Sequence, residues 1–130
     1  MSTQCGIAIH EENGYECIYC HSDGYPEYMW PMLTENYNSE ELARKLVGFG
    51  DASYIAEKLE TNLPHSFDKP QWDTCCFYHR DRGDSWEEVK PAHYNHSEKN
   101  RLLSEWFYLY IFDIGTGCWN FYKSGERINK

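Results

Sequence analysis

The sequence predicts an α+β fold in which an antiparallel-rich sheet of about five strands carries two or three helices on one face, in the order ββ-αα-β-ββ. Three observations predict it. β-prone runs come in pairs near each end of the chain, each pair around a turn signal. Segments with apolar residues at helical spacing lie between them. No repeat, low-complexity tract or linker interrupts the 130 residues, so one domain over 1-130 is expected.

The first pair is "CGIAIH" and "YECIYCH" on either side of "EENG". Its Asn13-Gly14 is a strong hairpin signal, which gives a hairpin over residues 5 to 21. "SDGYP" breaks the second strand, and "EYMWPMLTENY" reads as a helix with Pro31 in its first turn or at a kink. "NSEELARKLVGFGD" is the clearest helix. Asn38 and Glu41 can form a capping box, Leu42, Leu46 and Val47 form a stripe, and Gly48 or Gly50 can end it. "ASYIAEKLE" reads as another short helix, and "TNLPHSFDKPQWD" as a loop returning to the sheet. "TCCFYHR" is a strand candidate, and the polar stretch "DRGDSWEEVKPAHYNHSEKN" a long loop or weakly helical excursion. "EWFYLYIFD" and "CWNFYKS" around "IGTG" make a second hairpin.

Charge narrows the partners. A formal net charge of −9 opposes broad attraction to phosphate backbones, so bulk nucleic acid is not an expected partner. The aromatic share of 17%, with eleven Tyr and five Trp, supplies both core and flat stacking surface. The N-terminus lacks a basic region followed by an apolar run, and no stretch approaches the roughly 20 apolar residues of a membrane span. A cytoplasmic protein without a membrane partner is expected. Cys5, Cys17, Cys20, Cys75, Cys76 and Cys118 are then expected to be thiols.

Cys17-x-x-Cys20-His21 has the spelling of a c-type haem attachment site. Thioether attachment needs a helix or tight turn beside an open pocket, and an export route, whereas these residues fall on an expected strand. Zinc is the stronger rival, with Cys75, Cys76 or His79 as further ligands, but adjacent cysteines on a strand point to opposite faces. Core thiols are the simpler reading, so neither cofactor nor metal is expected.

"HRDRGD", residues 79 to 84, resembles a kinase catalytic loop only in three letters, since Trp86 stands where an Asn is needed and no Gly-rich loop is present. It does offer arginines interleaved with carboxylates, suited to bidentate phosphate binding or, alternatively, to pairing with each other. "HSDGYP" and "HRDRGD" each follow an expected strand. If those strands pair, His21, Asp23, Tyr25, His79, Arg80, Asp81 and Arg82 share one sheet edge, with rings for a base, guanidinium for phosphate and carboxylate for ribose hydroxyls. Ser22 and Cys20 adjoin His21 in sequence and cannot face it as a triad requires, so an enzyme is not expected.

The segments "IYCHSDGYP", "GFGDAS", "HSFDKPQ", "FYHRDRGD" and "YLYIFDIGTGCW" together resemble a family of small phage and prophage proteins. Its members open with Met-Ser-Thr-Arg and carry Ile-Tyr-Cys-His-Trp-Asp-Gly-Tyr-Pro before His-Arg-Asp-Arg-Gly. The resemblance keeps the order of the segments over most of the chain. Gln4 and Ser22 depart from the family's Arg and Trp, which removes a stacking ring at position 22. The chain is also similar to phage counter-defence sponges of the anti-Thoeris type. That resemblance implies capture of a cyclic ADP-ribose-like signal without catalysis, in a pocket completed by a second subunit of a homo-oligomer. The alternative is an acidic inhibitor, such as an anti-CRISPR or nucleic-acid mimic, that blocks a host defence protein by contact through its 21 Asp and Glu.

Overall fold

A computed structural model describes residues 2–129. Strands β1 (Cys5–Glu11) and β2 (Gly14–Cys20) form the expected antiparallel hairpin, with Cys5 opposite Cys20 and Glu11 opposite Gly14. The turn falls on Glu12 and Asn13. Gly14 follows at φ 122°, where a Cβ would lie 2.2 Å from the Tyr94 carbonyl oxygen, so only glycine fits.

Helix α1 (Pro26–Asn36) takes Pro26 in its first turn and holds Pro31 inside. Helix α2 (Glu40–Gly48) is where the sequence places it, but Ser39 and not Asn38 is the N-cap, accepting the Leu42 N–H at 3.2 Å. Strand β3 (Ala52–Tyr54) replaces the short helix expected from "ASYIAEKLE". Gly50 at φ 84° turns the chain, Asp51 captures the Tyr19 N–H at 2.9 Å, and Ala52 then pairs with Cys20. Tertiary pairing thus overrides a weak helical preference.

The strand expected in "TCCFYHR" is shorter than its run. Strand β4 (Cys76–Phe77) gives way to a single π-helical turn, Tyr78–Arg82, stopped by Gly83 at φ 87°. The stretch read as a long loop is also more structured than expected. It holds α3 (Trp86–Val89), β5 (Ala92–Tyr94) and α4 (Lys99–Glu105), with a 3-10 turn leading into α4. Asn95 and Glu98 form the capping box that starts this turn. Strands β6 (Tyr108–Asp113) and β7 (Cys118–Lys123) form the second hairpin, and β8 (Glu126–Arg127) adds to β7.

The α+β class holds, but the sheet is mixed and has eight strands, in the order β4-β3-β2-β1-β6-β7-β8 with β5 also on β2. β1 pairs parallel with β6, and β2 parallel with β3. β2 divides its outer edge, giving Cys20 to β3 and Tyr15 to Cys17 to β5. Helices cover both faces, not one. Ile7, Ile18, Tyr110 and Phe112 pack with Met29, Leu33 and Leu46 of α1 and α2, while Ala8, Cys17, Leu109 and Ile111 pack with Tyr94 and Leu102. The alternation along each strand assigns these two clusters to opposite faces. Among the described residues, no helix is long and apolar enough to cross a membrane.

Candidate functional site

The Cys-x-x-Cys motif is settled by strand geometry. Cys17 and Cys20 lie three positions apart on β2, so one joins the α4-side cluster and the other the α1/α2-side cluster. Their sulfurs therefore point through opposite faces and cannot converge on one iron or zinc. Burial pushes the Cys17 thiol far above its ordinary range and the thiols of Cys75 and Cys76 up to about 11, so in the closed fold little thiolate is present at neutral pH.

The π-helical turn organises the densest polar network. Arg80 donates through Nη1 to the Leu59 carbonyl at 2.7 Å and through Nη2 to the Cys75 carbonyl at 2.9 Å. Its Nε and Nη2 also hold both oxygens of Asp81 at 3.0 Å, while the guanidinium lies over Phe49 and Phe77. Asp81 accepts the Phe77 N–H at 2.8 Å as well. This turn therefore tests its own sequence: Arg80 binds its neighbour and two carbonyls, and one N–H of Nη1 stays uncommitted among the described residues.

His65, Cys76 and Asp81 place potential ligand atoms within 4.8 Å of one another. The hydrogen bonds of His65 decide what this trio does. The Gln71 N–H donates to His65 Nδ1 at 2.8 Å, which leaves the imidazole proton on Nε2, and Nε2 donates to the Cys75 carbonyl at 2.9 Å. No lone pair of the neutral ring is free for a metal, so the trio reads as a bracket joining the 65–71 loop to β4. Sequence reasoning missed His65, because only the fold brings that loop beside the turn.

Above this bracket lies a cleft of about 540 Å³ lined by Phe49, Glu60, Thr61, His65, Arg80 and Asp81. Of the residues singled out in the sequence, only Arg80 and Asp81 reach it. Arg82 turns away, lying over Tyr78 and Phe67 while it holds Asp84 through two 2.7 Å contacts. His79 bonds the Asp84 carbonyl at 2.7 Å and meets the Trp86 ring edge-on. The seven residues thus do not share one sheet edge. β2 and β4 both end against Ala52, but from opposite directions, so the chain leaves β2 along β3 towards Ser53 and leaves β4 past Asp51.

His21 does not line the cleft, and its Nδ1 meets the Tyr19 hydroxyl at 2.6 Å. Tyr19 stacks on Trp106, and Trp106 lies flat on Gly6, where an added Cβ would meet the indole at 2.7 Å. The buried Trp106 Nε1 has no hydrogen-bond partner among the described residues. Asp23, at φ 59°, is exposed, and Tyr25 packs against Tyr28 of α1. No protein-family description, curated protein or solved structure matches the chain, so function rests on this geometry.

Proposed function

We propose that the protein binds and sequesters a small nucleotide-like ligand, of the cyclic ADP-ribose class, in the cleft beside the π-helical turn. The observation that carries this reading is the cleft itself, about 540 Å³ and within the range of small-molecule sites. Its floor is fixed before any ligand arrives, because Arg80, Asp81 and His65 are held by hydrogen bonds to backbone and to each other. Preorganisation of this kind lowers the entropy cost of binding. Phe49 and His65 offer ring surface, Glu60 and Thr61 suit ribose hydroxyls, and the open N–H of Arg80 suits one phosphate oxygen. Binding without chemistry is supported by the thiols, whose burial suppresses the thiolate form.

Isothermal calorimetry against cyclic ADP-ribose isomers and cyclic di- and trinucleotides tests this. At least one should bind the parent, and Thr61→Trp, which fills the cleft from its rim, should weaken that binding by at least about tenfold. If no member of the panel binds, or if Thr61→Trp binds equally well, the cleft is not the site. A second reading, contact inhibition of a host defence protein by an acidic surface, is favoured by one observation. Arg44, Arg80, Arg82 and Arg101 are all paired with carboxylates of the chain itself, which leaves little positive charge for phosphate and a surface field that is negative. Displacement of a DNA probe from a basic nuclease groove, read by fluorescence anisotropy, would support that alternative.

A further inference from the structure

Cys5 is the first residue of β1 and Cys20 the last of β2, and the register sets them directly opposite each other. Opposed positions in an antiparallel pair have Cα atoms about 4.5–5.5 Å apart, inside the roughly 4.4–6.8 Å that a disulfide spans. Being opposed, they project to the same face, and both belong to the α1/α2-side core. Burial raises the Cys5 thiol well above its ordinary range, and the neighbouring Cys20 thiol adds to the shift.

Cys17, Cys75 and Cys118 are poorly placed to compete. Cys17 faces the opposite side of the sheet. Cys75 is engaged by the Tyr37 hydroxyl at 3.2 Å and the Ala56 N–H at 3.3 Å. Cys118 is exposed on β7, across the sheet.

We propose that Cys5 and Cys20 close a cross-strand disulfide when the protein meets a peroxide, stapling the open end of the first hairpin. One sulfur attacks the peroxide O–O bond, becoming a sulfenic acid as one water leaves. The second sulfur attacks that sulfenic sulfur and expels its hydroxyl as a second water. The two thiols lose two hydrogens and two electrons, and the peroxide takes both. Both side chains are 0% exposed, so reaction requires the hairpin end to open. That opening is a local one, since this end is held by three backbone hydrogen bonds, from Gly24 to the Thr3 carbonyl and from His21 and Ser22 to β3. The bond fixes the root of the segment that leads through His21 and Tyr25 into α1.

The test uses the full, reduced chain treated with hydrogen peroxide, then alkylated after denaturation and digested with a glutamate-specific protease and chymotrypsin. Cleavage after Glu11, Glu16 and Tyr19 separates Cys5, Cys17 and Cys20. The expected result is an intact mass lower by two hydrogens, alkylation at Cys17, Cys75, Cys76 and Cys118 only, and one linked pair joining the Cys5 and Cys20 peptides. Dithiothreitol should reverse it, and Cys17→Ala should retain it. Alkylation of all six cysteines, a link between any other pair, or conversion of Cys5 to a sulfinic acid would overturn the proposal.

Discussion

Arg80 and Arg82 are separated by a single residue, yet the structure gives them unequal tasks. The Arg80 guanidinium joins the Leu59 and Cys75 carbonyls to Asp81, whose side chain is only 5% exposed. Arg80→Ala leaves that carboxylate uncompensated, and the expected cost is about 3–5 kcal/mol, read by urea denaturation. Arg82 pairs with Asp84 at the surface, where solvent and salt screen the interaction, so Arg82→Ala should melt close to the parent. Equal losses in the two variants would mean that the turn is not organised around Arg80.

Asp51 supplies a pH-dependent counterpart at the same scale. It accepts the Tyr19 N–H, but burial raises its carboxyl above the usual carboxylate range. A raised folded-state pKa means that the folded chain holds this proton more tightly than the unfolded chain. Stability from this group is therefore fully present below the ordinary carboxylate pKa and is lost as pH rises through the folded value. Asp51→Asn keeps a carbonyl acceptor and removes the desolvated charge. Thermal melts should show the variant equal to the parent near about pH 3 and more stable near about pH 7. A variant less stable than the parent at neutral pH would show that the carboxylate charge itself is needed.

At the scale of elements, ends matter more than middles. Helix α2 depends on Ser39 for its N-cap, and Ser39→Ala should cost about 1 kcal/mol where Asn38→Ala costs little. The outer edge of β7 is closed by a side chain, not by a full strand. Asn129 accepts the Phe121 N–H at 2.7 Å and donates to the Trp119 carbonyl at 3.3 Å, continuing the pairing that β8 begins. Asn129→Ala should cost about 1–2 kcal/mol and leave an open edge. Chemical denaturation gives the first quantity, and light scattering on storage reports the second.

At the scale of the molecule, β6 is an interior strand of the mixed sheet, with β1 on one side and β7 on the other. Leu109, Tyr110, Ile111 and Phe112 are all buried, because helices cover both faces. Ile111→Asp places an unpaired charge in the α4-side cluster and should cost several kcal/mol, on the order of 3–5, leaving little folded protein. Tyr108→Asp, at the half-buried start of the strand, should be milder. Circular dichroism and melting of the two variants check this order, and its reversal would place the strand in the wrong register.

The sequence by itself determined what short-range chemistry dictates. Both hairpins, α1 and α2 follow from turn residues, proline placement and apolar spacing that act within a few positions. The burial of Cys17 and Cys20 follows from their place on an apolar strand. It did not reveal β3 or β5, because strands of three residues have too little pattern of their own and exist only by pairing with β2. The Asn95 to Glu98 capping box was legible in "NHSE", but a polar surrounding hid it. The candidate site was legible only in part. "HRDRGD" marked Arg80 and Asp81, while Phe49, Glu60, Thr61 and His65 come from segments with no shared signal. Only the tertiary structure decided which arginine faces the cleft, because a helical turn sends Arg80 and Arg82 to different sides where the expected strand would have put them on one face. It also decided that β1 and β6 run parallel, since a parallel pairing joins residues some hundred positions apart and leaves no local trace in the chain.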